Sequence, residues 1–153
     1  MRVSTKADYA LRAMAQLAAD GADGPVTAPR LAEEQGIPVK FLHAVLTELK
    51  RARLVRSTRG PEGGFELARP AERISLADIL RAVDGPLMNV HDTSLGTLSY
   101  PGPAGSLLDV WRAARTSLRN VFEEVSVADL AAGRLPGSVA ELAAKYQEDV
   151  RYS

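Results

Sequence analysis

Residues 57–70 read STRGPEGGFELARP, with three glycines and a proline in five consecutive positions after Arg59. Three kinds of chemistry use such a stretch: a phosphate cradle, a plain surface turn, or the tip of a hairpin that enters a narrow space. The phosphate cradle fails on spacing, because GPEGG lacks the GxxxxGK[ST] pattern and opens into a strand-like run, not a helix. A plain turn explains the glycines but not Arg59 beside them. Just upstream, Lys40, Lys50, Arg51, Arg53, Arg56 and Arg59 face only Glu48, a local excess of five positive charges within residues 38–59. Such a cluster suits a polyanion.

Other chemistries lack their residues. The chain has no cysteine, which removes thiolate nucleophiles, disulfides and thiol-based sensing. Its two histidines, His43 and His91, stand 48 positions apart, so a zinc site with the usual ligands is not expected. No nucleophile–base pair or ligand cluster stands out, and the chain does not read as an enzyme. His91-Asp92 reads as a solvated loop pair before it reads as a ligand set. Neither a metal nor a cofactor is expected. No apolar run reaches the length of a membrane span, and the start, MRVSTKADYALRAM, lacks a signal-peptide pattern, so a cytoplasmic protein is expected. The net charge of zero hides an asymmetry: residues 1–69 hold 11 Lys/Arg against 8 Asp/Glu, and residues 70–153 hold 8 against 11.

The elements that would position the basic residues follow from periodicity. Thr5-Lys6-Ala7-Asp8 has the form of a capping box, and Ala10, Ala13, Met14, Leu17 and Ala18 form one helical stripe. Thr27 caps a short second helix with Pro29 in its first turn, Gly36 closes it, and Ile37-Pro38 opens a third. Two helices joined this tightly cross steeply, as in a helix-turn-helix. With Lys40 as origin, Phe41, Leu42, Val45, Leu46 and Leu49 lie at roughly 100° to 240° around the third helix, a core face. Lys40, His43, Thr47, Lys50 and Arg51 occupy the opposite face, which suits a groove.

Residues 54–58 and 65–68 then read as two strands around the glycine loop, a β-hairpin whose basic tip is a wing. Ser75-Leu76-Ala77-Asp78 caps a fourth helix, which stops at Asp84-Gly85-Pro86. Residues 87–105 have no clear period. From Ser106 a long helix carries Leu107, Trp111, Ala114, Leu118, Val121 and Val125 at 4-3-4-3-4 spacing, a heptad seam. Short helical pieces are expected around Ala128–Ala132 and Val139–Tyr146. The expected fold is mainly α with a small β-hairpin: a winged helix-turn-helix domain over 1–86, a loop over 87–105, and a dimerisation helix with its tail over 106–153.

MRVSTKADYALRAMAQLA, LAEEQGIPVKFLHAVLTELKRARLVRSTRGPEGGFELARP and ISLADILRAVDGPL resemble the IscR/NsrR/CymR-type winged helix-turn-helix regulators, the Rrf-two family; LLDVWRAARTSLRNVFEEVSVADLA is a weaker match. The resemblance implies a homodimer on a double-stranded, pseudo-palindromic DNA operator, usually a repressor of transcription. In many relatives the loop before the long helix carries three cysteines for an iron–sulfur cluster or redox switch. Here it reads MNVHDTSLGTLSYPGPAGSL, so a thiolate-held cluster cannot form. An unidentified small-molecule or protein effector remains an open partner. The expected DNA contacts are Arg2, Thr5, Lys6, Lys40, His43, Thr47, Lys50, Arg51, Arg59, Gly60, Gly63 and Gly64. The expected dimer contacts are the six seam residues. The alternative is a winged-helix adaptor that binds protein and not DNA.

Overall fold

The computed structural model describes residues 2–149. Helix α1 (Thr5–Asp20) runs through the centre of the fold, flanked by α2 (Ala28–Gln35), α3 (Val39–Arg51) and α4 (Leu76–Asp84). Its inward face carries Ala7, Ala10, Ala13, Met14 and Leu17, all essentially inaccessible to solvent. Small alanines on that face let the neighbouring helices approach closely, so the larger side chains Leu31, Leu42, Leu46, Leu49 and Ile79 interdigitate around them. Each large side chain buried this way stabilises the fold by about 1.5–3 kcal/mol before entropy is counted. A polar bridge joins α1 to α2: Gln35 Nε2 donates to Gln16 Oε1 (2.7 Å), Gln16 Nε2 to Asp20 Oδ2 (3.1 Å), and Arg12 to the Gln35 carbonyl.

The cap of α1 differs from expectation by one residue. Ser4, in an extended conformation, accepts from the Ala7 N–H at 2.9 Å, and Thr5 is already helical. With Ala at the third helical position no acid can close a box, and Asp8 pairs instead with Arg12 one turn on (3.0 Å). The caps at Thr27 and Ser75 form as expected, the latter a full capping box with Asp78.

Strands β1 (Val55–Thr58) and β2 (Gly64–Leu67) pair antiparallel with Val55 opposite Leu67 and Thr58 opposite Gly64. Val26 adds a bridge to β2 that periodicity does not reveal: its N–H donates to the Phe65 carbonyl (2.9 Å) and the Phe65 N–H to its own (2.7 Å). These two bonds fasten the tip-side end of β2 to the segment between α1 and α2.

Residues 87–105 are ordered by local turns and two apolar anchors. Val90 and Thr93 pair across His91 and Asp92, both at positive φ, as in a primed two-residue turn. Short 3₁₀ turns follow at Leu95–Thr97 and Gly102–Ala104, and Met88 and Leu95 are buried. Trp111 Nε1 donates to the Tyr100 hydroxyl at 3.0 Å, which ties the end of this segment to α5 (Leu107–Glu124).

After α5 the chain returns to the winged body. The Leu76 N–H bonds the Val125 carbonyl (2.9 Å), the Val127 N–H bonds the Ile74 carbonyl (2.8 Å), and α6 (Val127–Ala132) packs against α1. Helix α7 (Gly137–Asp149) follows, and Leu142 and Tyr146 stand exposed on it. Residues 150–153 of the expected tail lie outside the described residues.

Candidate nucleic-acid interface

The turn between α2 and α3 is made by Gly36, left-handed at φ 61°, whose N–H reaches the carbonyls of Ala32 and Glu33. The Ile37 N–H then bonds the Ala32 carbonyl at 2.9 Å, which fixes the turn into α3, and the apolar face of α3 packs on α1. Leu42, Val45, Leu46 and Leu49 are buried, and Lys40, His43, Thr47, Lys50 and Arg51 are all exposed on the other side. The Thr47 hydroxyl donates to the His43 carbonyl (2.8 Å), which leaves its oxygen to accept.

Phe41 is a correction. Placed on the core face by its helical angle, it is 61% exposed, its ring edge-on to Tyr9 at 6.4 Å between centroids. At roughly 100° it sits on the margin of the apolar arc, in the first turn of α3, where it meets α1 only through the edge of Tyr9.

Lys6 is less free than its sequence position implied. Its ammonium pairs with Glu48 Oε1 at 3.3 Å, joining α1 to the only acid of the basic stretch. The other Glu48 oxygen is buried without a hydrogen-bond partner among the described residues. Thr5 is exposed in the first turn of α1, and Arg2 borders an apolar cleft formed with Val3, Leu80, Leu118 and Phe122.

In the hairpin, Arg56 is spent on its cross-strand neighbour Glu66 (2.8 Å), whereas Arg59 at the tip is exposed and has no carboxylate partner among the described residues. Gly60 has φ 106° and open space around its α-carbon. Gly63 and Gly64 have another reason to be glycine. A Cβ on Gly63 would lie 2.2 Å from the Thr58 carbonyl oxygen, and one on Gly64 would lie 2.6 Å from that of Val26. Both are therefore required by the chain's own backbone, whatever else they meet.

Arg53 was not among the expected contacts. It adopts φ 61° where α3 ends, with the Leu54 N–H bonded to the Leu49 carbonyl (3.0 Å). This is a helix stop normally written with glycine. An exposed Arg in a left-handed conformation between α3 and the wing points to a constraint; the available signal was its place inside the basic run.

The seam on α5 divides. Val125 lies beyond the helix, extended and 2% exposed within one chain, so it belongs to the protomer's core and not to a dimer face. Leu118 and Phe122 line the cleft toward α1 and α4, and Glu123 bonds Arg81 of α4 (2.7 Å). Leu107, Trp111, Ala114, Leu118 and Val121 are only part-covered, no residue of α5 is buried, and Val110 is 56% exposed.

A helix-turn-helix with a basic outer helix and an arginine-tipped wing is the architecture of a DNA reader. A family model named Rrf2, described as an iron-dependent transcriptional regulator, matches residues 3–133. The chain belongs to the Rrf2 family. Its members are DNA-binding transcription regulators, not enzymes, and that is what this protein is. A Mycobacterium tuberculosis protein (strain ATCC 25618 / H37Rv) named among HTH-type transcriptional regulators is 54% identical over 154 residues, spanning 99% of this chain and 96% of its own. The Bacillus subtilis regulator CymR is 30% identical over 131 residues, 86% of this chain and 90% of its own. The solved structure of CymR, the global cysteine regulator of that organism, superposes with a TM-score of 0.75 at 29% identity, covering 86% of this chain and 97% of that one. T. potens IscR superposes at 0.69 with 32% identity, covering 87% and 88%.

The iron of the family description does not fit this chain's donors. There is no cysteine in the sequence, His43 stands on the exposed outer side of α3, and His91 occupies an exposed turn. Among the described residues no three His, Cys, Asp or Glu side chains gather as a metal would need. No helix among them is long and apolar enough to cross a membrane.

Proposed function

We propose that this Rrf2 regulator works in the cytoplasm as a homodimeric repressor of a pseudo-palindromic operator, without an iron–sulfur cluster. Lys40, His43 and Thr47 of α3 meet base edges in the major groove, Lys50 and Arg51 meet phosphates, and Arg59 enters the minor groove over the bare backbone of Gly60. Arginine favours narrow, electronegative minor grooves, and residues at the start of a recognition helix are the ones that reach bases. The observation that carries the dimer is α5: 18 residues with an apolar face and not one buried side chain. A helix about 27 Å long whose apolar stripe is only part-covered, with Val110 56% exposed, gains from a partner. A second copy supplies one through a two-fold axis, and the same axis presents two α3 helices to an inverted repeat.

Analytical ultracentrifugation of the wild type and Val110→Glu tests the dimer, with bound DNA selected from a random pool. The expected outcome is a wild-type dimer that selects inverted repeats. Val110→Glu should be a folded monomer that binds them poorly, since a buried unpaired charge costs several kcal/mol. A monomeric wild type refutes the dimer, and a dimeric Val110→Glu places the interface elsewhere.

A further inference from the structure

Three arginines converge on the side of α5 that faces the 87–105 segment. Arg112, Arg115 and Arg119, with Thr116, line an open cleft of about 350 Å³ bordered by Leu95 and Gly96. Their countercharges do not balance them. Arg112 has Asp109 (3.3 Å), which is itself 81% exposed. Arg119 is 3.7 Å from Glu123, a carboxylate already held by Arg81 at 2.7 Å. Arg115, half-buried, has no carboxylate within ion-pair distance among the described residues. Like charges three and four residues apart destabilise a helix, and here three of them share one wall of a concave site.

We propose that this cleft binds a small organic or inorganic oxyanion carrying two or more negative charges, and that the ligand is an effector of the protein. Guanidinium groups pair bidentately with carboxylate and phosphate oxygens, and neighbours on one helix face stand about 5–6 Å apart, the reach of a di- or tricarboxylate or a diphosphate. The Thr116 hydroxyl supplies a further donor. Leu95 is buried and anchors the opposite wall. Occupancy clamps the 87–105 segment to α5 beside the Trp111–Tyr100 hydrogen bond. The effect on operator affinity rests on the DNA-binding dimer proposed above; ligand binding itself does not.

The full-length protein is titrated separately with citrate and with inorganic pyrophosphate, at constant ionic strength set by sodium chloride. Trp111, the only tryptophan, gives a fluorescence readout, and calorimetry gives the stoichiometry. Saturable binding is expected from at least one probe, citrate alone indicating a carboxylate ligand and pyrophosphate alone a phosphate one. Arg115→Ala should weaken it by about tenfold or more, the loss of one charge-assisted contact. Arg115→Lys should restore part of the loss, and both variants should keep the wild-type circular dichroism spectrum. Four results each overturn the proposal: no saturable binding of either probe; equal affinity in wild type and Arg115→Ala; a monomeric Arg115→Ala, which would make the arginines partners of a second copy; or a ligand-free Arg115→Ala with lowered affinity for all DNA, which would make them a DNA surface. The first two are read without DNA and leave the operator model untouched.

Discussion

Replacing Gly64 by alanine separates two explanations of the glycine-rich wing. If the glycines serve only to bring backbone close to DNA sugars, Gly64→Ala should lower DNA affinity and leave folding alone. The structure predicts the reverse order of effects. The new Cβ would lie 2.6 Å from both the carbonyl carbon and the oxygen of Val26, and 3.0 Å from the Thr27 nitrogen. Those are backbone atoms of the segment that makes the two Val26–Phe65 hydrogen bonds, so relief of the clash must stretch bonds now at 2.9 and 2.7 Å. Each is worth about 0.5–1.5 kcal/mol net. The φ of 154° at Gly64 is itself a conformation that L-residues rarely adopt, a strain of about 1–3 kcal/mol. The sum is a loss of roughly 2–6 kcal/mol, a fall in melting temperature on the order of 10 °C. Gly60→Ala, with open space around it, should show strain alone and lose less. Urea unfolding followed by circular dichroism, at one protein concentration, measures both. A Gly64→Ala variant that unfolds within about 0.5 kcal/mol of the wild type yet no longer binds DNA would refute the reasoning and return the glycine to the nucleic-acid interface.

Other outcomes follow from the same geometry. Arg59→Ala should weaken operator binding by about 1–3 kcal/mol in a gel-shift titration, and unchanged affinity at moderate salt removes the wing tip from the interface. His43→Ala should change the selected base sequence, whereas Arg51→Ala should lower affinity for every sequence and flatten the salt slope by about one unit; identical effects would abolish the division of α3 into base and phosphate contacts. The Asp20 carboxyl is held below its ordinary value of 3.8, first by the Gln16 amide hydrogen bond and further by Glu34 and Arg30, against a burial effect that raises it. A depressed acid contributes stability that is present above its unfolded value and lost as pH falls through the folded one. The stability gap between the wild type and Asp20→Asn, measured by denaturant unfolding, should therefore narrow below pH 3.8, and a gap that widens there contradicts the pairing.

The local layer of this protein is written in its sequence. Helix α3 with its basic face, the turn at Gly36, the capping box at Ser75 and the hairpin around residues 59–63 each depend on neighbours a few positions away, where periodicity and turn chemistry act directly. The basic face of α3 was legible for the same reason, because exposure on one side of a helix follows from the apolar residues on the other. What depended on distant segments was not legible. Phe41 and Leu42 differ by one helical step, but only the position of α1 decides that Leu42 is covered and Phe41 is not. Val125 continues the heptad spacing, and only the pairing of residues 125–127 with 74–76 takes it out of the helix and into the core. Val26 joins β2 across nearly forty residues of chain, and through that contact Gly64 acquires a structural role that its own neighbourhood does not disclose. Sequence spacing sets which face a residue can occupy; tertiary contacts between remote segments decide which faces are covered, and hence which residues remain free to meet DNA, a second copy or a ligand.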